Sequence, residues 1–385
     1  MDGEEMRFIP YGLHWIDDQD IEKVVKVLKG DWIVMGEKVK EFEDAICGYV
    51  GARYGVAVNS GTAALDVAMN SLGLGEGEVI TTPLTFVATA HAILYAGLRP
   101  VFADIQRDTF NIDPADVERK ITDRTRAVAC VDFAGHPCEI GEIRKIADEH
   151  GLFVIEDAAH ALGAEYRGRK VGSLADVTVF SFHPVKHITT GEGGMCVTSK
   201  EKLAERMRIL RNQGMESSAM ERFGPGGRWV YDVKMLGRNY RMTDFQAALG
   251  LSQLRKLEFF IRRREEIARM YIDELSSVDG IELPAVRPYV RHVWHIFTIL
   301  VERGINRDEF VALLRKKGIG AAVHYPPVYR FTYYRERFDF RPEDFPVTEE
   351  VTSRTVTIPL FPRMKEEDVR MVIEAVKETA RELSG

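Results

Sequence analysis

Cysteine is scarce in this chain of 385 residues, and both long apolar runs and an excess of positive charge are missing. The four cysteines, Cys47, Cys130, Cys138 and Cys196, form no C-x-x-C pair, which argues against a disulfide framework or a zinc site. We therefore expect packing cysteines, no bound metal and a reducing, cytoplasmic location. No apolar run is long enough to span a bilayer, so no membrane partner is expected. The formal net charge of -7 argues against nucleic acid as a partner.

A targeting signal and a dinucleotide-binding fingerprint are also missing. Residues 1–6 are acidic and lack an apolar core, so no signal peptide is expected. No G-x-G-x-x-G follows a predicted strand, which disfavours a dehydrogenase. The glycines at 73–77 are instead typical of a helix stop and a turn.

Short apolar runs alternate with helical patterns between about residues 55 and 155. They follow an N-terminal approach segment, residues 1–50, in which two amphipathic helices are predicted. Strict alternation of strands and helices predicts an α/β fold with a mostly parallel sheet covered on both faces. Ligands of such sheets bind at the carboxyl ends of the strands.

The pattern changes after residue 194 to long helices and a smaller α+β region. We therefore predict a large domain at 1–250 and a small C-terminal domain at 251–385. The elements predicted for this part are a charged helix at 243–275, strands at 293–301 and 320–324, and helices at 307–317 and 365–383.

Lys186 is the most informative single residue because it is the only lysine in an otherwise apolar, strand-like stretch at 177–186. Glycines at 191–194 follow it and let backbone approach a bound group. In a partly dehydrated pocket the amine favours its neutral, nucleophilic form, which a Schiff base with a carbonyl compound requires. The alternative is a lysine that ends a strand and points to water.

Polar and aromatic side chains follow two other predicted strands. Ser60, Gly61 and Thr62 open a helix after the first strand, where free N–H groups and the helix dipole suit a phosphate. An ordinary N-cap is the alternative for this turn. Phe86 follows the next strand and could stack on a planar ligand, or it could pack in the core.

An acidic pair ends the predicted strand at 152–157. A buried Asp157 needs a partner, for which a protonated pyridine nitrogen is suitable, and His160 could donate to a neighbouring ring oxygen. Alternatively, Asp157 caps the following turn and His160 is a core histidine. With the phosphate site, the aromatic ring and the lysine, this set predicts pyridoxal 5'-phosphate (PLP) and transamination, in which Lys186 also moves a proton.

Six motifs occur in order along nearly the whole chain: Asn59-Ser-Gly-Thr-Ala-Ala-Leu65, Thr85-Phe-Val-Ala-Thr-Ala90, Glu156-Asp-Ala-Ala-His-Ala-Leu-Gly163, Phe180-Ser-Phe-His-Pro-Val-Lys186, Gly191-Glu-Gly-Gly194 and Asn239-Tyr-Arg-Met-Thr-Asp244. Together they resemble the motifs of the DegT/DnrJ/EryC1/StrS aminotransferases. The resemblance implies a fold type I PLP enzyme with a mostly parallel seven-stranded sheet. It also implies amination of nucleotide-linked ketosugars, usually with L-glutamate as amino donor and 2-oxoglutarate as its product.

The resemblance also implies a role for each matching residue. Lys186 would form the Schiff base, Asp157 would pair with the pyridine nitrogen, and His160 would lie at the ring oxygen. Phe86 would stack on the ring. Asn239 would reach the cofactor phosphate of the neighbouring subunit, which implies a homodimer with shared sites. The residues expected to hold the phosphate within the chain are Ser60, Gly61, Thr62 and Ser181.

Within the family, the stretches at 131–138, 181–186 and 322–329 are most similar to the UDP-4-keto-6-deoxy-sugar 4-aminotransferases of pseudaminic acid synthesis. The enzymes that make 4-amino-4-deoxy-L-arabinose come next. This similarity implies amination at the 4-keto carbon of a UDP-linked deoxysugar for surface glycans. Trp32 and Tyr325 could instead be core residues, and His324 could end a strand. The residues implied to line the sugar-nucleotide pocket are Tyr11, Asp31, Trp32, Ile33, Val34, His183, His324, Tyr325, Pro326 and Pro327.

Two other functions fit the same motifs less well. Relatives that dehydrate a deoxysugar carry a histidine in place of the lysine, so Lys186 disfavours that reaction. A regulatory protein that keeps the fold is disfavoured by the intact Asp157 and Lys186. The choice of sugar stays open, because residues 211–213 lack a histidine often found there and the turn at 31–34 lacks the usual hydroxyls.

Overall fold

The central element is a seven-stranded sheet with strand order β1-β9-β8-β5-β4-β2-β3. This computed structural model describes residues 7–216 and 230–384, so the expectation of no signal peptide at 1–6 lies outside the described residues. Strand β9 runs antiparallel to both of its neighbours, and the other pairs are parallel. The predicted α/β fold with a mostly parallel seven-stranded sheet is therefore confirmed.

The described residues form the following strands and helices, numbered in chain order. The strands are β1 Tyr54–Val58, β2 Glu78–Thr81, β3 Arg99–Phe102, β4 Thr125–Val131, β5 Phe153–Asp157, β6 Glu165–Tyr166, β7 Arg169–Lys170, β8 Val177–Ser181, β9 Gly194–Thr198, β10 Ile281–Glu282, β11 Val290–Arg291, β12 Phe297–Val301 and β13 Thr355–Ile358. The α-helices are α1 Asp18–Leu28, α2 Glu37–Val50, α3 Gly61–Ser71, α4 Ala88–Tyr95, α5 Pro114–Arg119, α6 Ile140–His150, α7 Glu201–Arg211, α8 Asp244–Leu254, α9 Leu257–Leu275, α10 Arg307–Lys316, α11 Thr332–Arg335, α12 Pro346–Arg354 and α13 Glu366–Ser384. Short 3-10 helices lie at Phe133–Gly135, Val328–Arg330 and Pro342–Asp344.

The strands of the central sheet are buried on both faces, as their continuous apolar runs predict. In β4, for example, every residue except Arg126 is buried. A second, antiparallel sheet of β10, β12 and β13 forms the C-terminal region, packed with α9, α10 and α13 around one apolar cluster. A third sheet pairs β11 with β6. A strand from the C-terminal half of the chain therefore lies beside one that follows β5 of the central sheet.

Three predicted elements of the C-terminal half were wrong in detail. The charged helix is two helices, α8 and α9, separated at Lys256, whose amine pairs with the Asp17 carboxylate at 2.9 Å and with Asp20 of α1. The predicted strand at 293–301 begins only at Phe297. The predicted strand at 320–324 forms a single bridge, between Ala322 and Thr357. The first residue of the predicted strand instead bonds to the N-terminal segment, since the Gly320 N–H donates to the Ile9 carbonyl at 2.7 Å.

Arg264 of α9 holds two segments of the C-terminal region together. Its side chain is almost fully buried, and its Nη1 group donates to the carbonyl oxygens of Trp294, His295 and Leu360 at 3.0–3.2 Å. Burial lowers the pKa of the guanidinium to about 9. Because a buried cation needs such acceptors, Arg264 fixes the backbone that precedes β12.

Glu43 of α2 and Arg211 of α7 form a buried ion pair against the outer edge of β1. Arg211 Nη1 donates to the Ala57 carbonyl at 2.6 Å, and Glu43 Oε1 accepts the Ala57 N–H at 2.8 Å. Strand β1 lies at the edge of the sheet, so the pair satisfies backbone groups that no further strand meets.

We expect Arg211→Met to lower the free energy of unfolding by about 3 kcal/mol, because it leaves the Glu43 carboxylate buried without its cation. The measurement is the urea dependence of unfolding, followed by fluorescence and circular dichroism. The double variant Glu43→Gln/Arg211→Met removes the buried charge and should recover part of the loss. Arg370→Met, which breaks an exposed pair with Glu366, is the matched control and should cost less than about 1 kcal/mol. Equal losses for the two arginines would contradict the interpretation.

Candidate active site

A cavity of about 530 Å³ opens at the carboxyl ends of the central strands. Its volume is typical of a small-molecule site. The α3 N-terminus, the loop before α4, the ends of β5 and β8, and the segments around 295 and 324 all contribute walls. Predicted site residues that line it are Tyr11, Ser60, Gly61, Thr62, Phe86, Asp157, His160, Ser181, His183, Lys186, His324 and Tyr325.

One end of the cavity suits a phosphate. The Ser60 hydroxyl accepts the Ala63 N–H at 3.1 Å, so the N-cap considered as an alternative is present and that oxygen is already engaged. A side chain on Gly61 would place its Cβ 2.9 Å from Ser181 Oγ. Glycine at this position thus brings the helix N-terminus and its free N–H groups against the Ser181 hydroxyl, with Thr62 beside them.

Asp157 ends β5 with its carboxylate buried at the cavity floor. One oxygen accepts the Thr89 hydroxyl at 2.7 Å, and the other accepts the Ala159 N–H at 3.2 Å, so the turn-capping interpretation also holds in part. Burial raises the pKa of Asp157, while both hydrogen bonds and the nearby Lys186 charge oppose that shift. The Asp157 carboxyl group can therefore ionise, and a buried cation that carries an N–H group would keep it charged.

Sequence reasoning missed Thr89 as the residue that orients Asp157. Its hydroxyl also lies 2.9 Å from the Thr85 hydroxyl, one helical turn earlier in the same motif. The spacing of two threonines at i and i+4 was the available signal.

His160 presents an N–H to the cavity. Its Nδ1 atom accepts the Ala134 backbone N–H at 3.3 Å, so in the neutral ring the proton is on Nε2. Burial lowers the pKa of His160 well below its usual range, which keeps the ring neutral. Nε2 lies 3.2 Å from the Tyr325 hydroxyl and can donate to an oxygen in the cavity.

Lys186 lies on a turn after β8, which ends at Ser181, so the expected strand-like stretch does not reach the lysine. The Lys186 N–H donates to the His183 carbonyl at 2.9 Å and closes that turn. Its amine lies in the cavity, 3.5 Å from His295 Nε2. Burial lowers the pKa of this amine to about 8, against the opposing charge of Asp157. The amine therefore faces the cavity, where it contacts His295.

Aromatic side chains form the outer wall. Phe86 is 57% exposed, so it is not a core residue, and its ring centre lies 6.1 Å from that of Tyr325. The rings of Tyr11 and His324 are 5.2 Å apart. His324 Nδ1 lies 2.9 Å from the Thr357 hydroxyl, and burial lowers the pKa of His324 to about 4. This wall is uncharged near neutral pH.

The remaining predicted site residues lie outside this cavity in their own chain. Asn239 is exposed on the segment before α8, and Ile33 and Val34 are also exposed. Pro326 is exposed, and Pro327 is buried. Asp31 and Trp32 line a second cavity, of about 560 Å³, between α1, α2 and α8.

Tertiary structure also gathers one cluster that the expectation of purely packing cysteines missed. Within residues 7–216 and 230–384, ligand atoms of Asp132, Cys138 and Glu156 lie within 4.8 Å of one another, all buried. Burial raises the pKa of Glu156 to about 7 and that of Asp132 well above its usual range, with Glu156 adding to the latter. A proton retained by the two acids would remove one of their two negative charges.

The cavity residues fit PLP. Gly61 allows the N–H groups of the α3 N-terminus to lie close to Ser181, as a phosphate site needs, Asp157 is a buried acid with hydrogen-bond capacity left for a ring N–H, and His160 carries a proton for a ring oxygen. Lys186 supplies a partly neutral amine. Each group required by the cofactor faces one cavity.

Comparison with known proteins settles the family. Residues 14–377 match the model of the DegT/DnrJ/EryC1/StrS aminotransferase family. The chain belongs to this family. It is 43% identical over 379 residues to the spore coat polysaccharide biosynthesis protein SpsC of Bacillus subtilis, covering 97% of each chain.

Solved structures agree with this assignment. The fold matches Helicobacter pylori PseC, an aminotransferase involved in the biosynthesis of pseudoaminic acid, with a TM-score of 0.92, 33% identity, and coverage of 98% of this chain and 100% of that one. It matches the PMP form of Spr1654, a putative sugar aminotransferase of Streptococcus pneumoniae, with a TM-score of 0.92, 30% identity, and coverage of 97% and 100%. The protein is thus a PLP-dependent sugar aminotransferase with the fold type I architecture.

Among the residues that the structure describes, no helix is both long and apolar enough to cross a bilayer.

We expect Gly61→Ala to weaken PLP binding by at least about tenfold, because the new methyl group would enter the space between the helix N-terminus and Ser181. The measurement is a PLP titration of cofactor-free protein followed by absorbance. Gly48→Ala is the control, since a Cβ at that helical glycine meets nothing within 4 Å. Wild-type affinity in Gly61→Ala would mean that the phosphate lies elsewhere.

Proposed function

We propose that this aminotransferase moves an amino group from L-glutamate to the 4-keto carbon of a UDP-linked deoxy-ketosugar. The product would be a 4-amino sugar nucleotide for surface glycan synthesis, made in the cytoplasm. The functions of two similar proteins support this class of substrate: one is involved in pseudoaminic acid biosynthesis and one in spore coat polysaccharide biosynthesis. The 4-amino-4-deoxy-L-arabinose type of substrate is the alternative within the same chemistry.

The observation that carries the proposal is the shared position of Lys186, Asp157 and His160 in one cavity with an uncharged aromatic outer wall. When bound, PLP supplies an electron sink for the electrons of a carbanion next to the transferred nitrogen. Asp157, which Thr89 orients, would hold the protonated ring nitrogen, and the His160 N–H would donate to the ring oxygen.

Lys186 is the proposed acid–base group. With a pKa of about 8, a substantial share of its amine is neutral near pH 8, so it can both accept and return a proton. The neutral fraction falls as pH drops below 8, so proton abstraction by Lys186 slows toward acidic pH. Turnover should therefore rise with pH until this amine is mostly neutral.

The outer wall suits a sugar. Tyr11, Phe86, His324 and Tyr325 offer ring faces and hydroxyl or imidazole groups rather than net charge. Apolar sugar faces pack on such rings, and sugar hydroxyls use the polar tips. His324 stays neutral because burial depresses its pKa to about 4, so the wall carries no fixed charge at neutral pH.

We propose further that the active form is a homodimer with shared sites. Asn239, Ile33 and Val34 lie exposed and outside the cavity of their own chain. In a two-fold dimer such residues can complete the cavity of the other subunit. Asn239 would then contact the cofactor phosphate there, and the turn at 31–34 would contact the nucleotide.

We expect Lys186→Ala to lower sugar amination by roughly 10³-fold or more, because no other amine lines the described cavity. The substrates are L-glutamate and a UDP-4-keto-6-deoxy sugar, with products identified by mass spectrometry. Wild-type protein should form 2-oxoglutarate from glutamate before any sugar is added. A small primary amine in the buffer should restore part of the variant's rate. Rapid amination by Lys186→Ala without such an amine would contradict the assignment.

Shared sites can be tested with mixed dimers of Lys186→Ala and Asn239→Asp subunits, purified through two different tags. If Asn239 serves the other subunit, one site of the mixed dimer carries both changes and the other carries neither. We therefore expect about half of the wild-type activity, although each variant alone is weak. The control is each variant carrying both tags. Mixed dimers no more active than these controls would mean that Asn239 serves its own chain.

A further inference from the structure

We propose that His295 is a positioning residue for Lys186: its neutral imidazole donates an Nε2–H to the free lysine amine and directs that amine into the cavity. The inference rests on the proposed role of Lys186. None of the six motifs contains His295, which lies between the third sheet and β12.

The backbone of His295 is fixed from two sides. Its N–H donates to the Ala134 carbonyl at 2.8 Å, in the loop that follows β4. Its carbonyl accepts the Arg264 guanidinium at 3.0 Å. His295 thus links the C-terminal region to the loop that also orients His160, because the Ala134 N–H donates to His160 Nδ1.

The ring is packed among other histidines. It is 4% exposed, with its centre 4.2 Å from that of His160 and 5.8 Å from that of His187. Its Nε2 atom lies 3.5 Å from Lys186 Nζ, at the outer limit of a hydrogen bond. This packing leaves the ring little freedom to move away from the amine.

The tautomer follows from the other ring nitrogen. Nδ1 of His295 is buried and has no hydrogen-bond partner among the described residues. A buried N–H without an acceptor is costly and rare, whereas a bare acceptor is tolerated somewhat more often. The proton therefore belongs on Nε2, which faces Lys186.

An N–H in that position distinguishes between the two forms of the lysine. A neutral amine has a lone pair that accepts the His295 proton, but an ammonium group has donors only. His295 thus favours the neutral amine and fixes the direction of its lone pair. Burial keeps His295 itself uncharged, since it lowers the pKa of the ring well below its usual range.

Other groups around the amine raise or lower its pKa. Asp157 favours the charged lysine, whereas burial and the cation of Arg264 favour the neutral one. Lys186 also lies within electrostatic reach of His160, His187 and His324, whose pKa values burial lowers. With those rings neutral, His295 is the histidine whose N–H faces the amine.

The test measures the ionisation of Lys186 in cofactor-free, full-length protein. A small acylating reagent labels neutral amines, and mass spectrometry of the peptide that contains Lys186 gives the rate at each pH. In the wild type we expect a midpoint near pH 8. His295→Phe keeps a buried ring but removes the donor, so the midpoint should rise by about half to one pH unit.

Two further variants distinguish the loss of the His295 donor from a general loosening of the packing around Lys186. His295→Gln places an amide N–H near the position of Nε2 and should hold the midpoint within about 0.3 units of wild type. His292→Phe removes another buried histidine, which stacks on Trp294, and should leave the midpoint unchanged. An unshifted or lowered midpoint in His295→Phe, or an equal rise in His292→Phe, would overturn the proposal.

The tautomer can be read in the wild-type protein as well. Nitrogen chemical shifts of ¹⁵N-labelled histidine, assigned through His295→Gln, should place the His295 proton on Nε2. A proton on Nδ1 would overturn the proposal even if His295→Phe does not fold. Neither measurement needs a sugar or PLP, so failure to aminate UDP-sugars would count against the proposed function and not against His295.

Discussion

The rest of the site depends on one constraint, the burial of the Asp157 carboxylate at the end of a parallel strand. A charge in that position is costly unless donors and a cation meet it. Thr89 and the Ala159 N–H provide the donors, and Lys186 contributes positive charge. In the proposed arrangement, a protonated pyridine nitrogen is the remaining partner of this carboxylate, which would place the cofactor ring at the floor of the cavity.

Asp157 needs partners that keep it charged, whereas the amine of Lys186 must stay partly neutral, in surroundings that include several histidines. Burial provides most of that effect, and the Arg264 charge adds to it. Arg264 also fixes the backbone of His295, so one buried residue of α9 influences the lysine through both its charge and the segment that it anchors. In the proposed site the C-terminal region thus acts on the lysine, although the residues proposed to hold the cofactor lie mainly on the large sheet.

The motifs at 59–65, 156–163 and 180–186 were enough to predict the sheet and the cofactor and to single out Lys186, because each motif lies at the carboxyl end of a buried strand and carries polar residues there. The single bridge of Ala322 with Thr357 and the break between α8 and α9 were not predictable in this way. Both depend on partners distant in sequence, Ile9 in one case and Asp17 with Asp20 in the other. Local pattern carries no information about such partners.

The sequence by itself determined the fold class and the cofactor and predicted Lys186 as the reactive lysine, since alternating periodicity and strand-end residues are local properties. Only the tertiary structure decided which distant side chains act on Asp157 and Lys186. Thr89, Arg264 and His295 reach the site from α4, from α9 and from the segment before β12, and the Asp132–Cys138–Glu156 cluster forms only when β4 and β5 lie side by side. Hydrogen bonds and pKa shifts depend on distance in space and on burial, and neither is fixed by spacing along the chain.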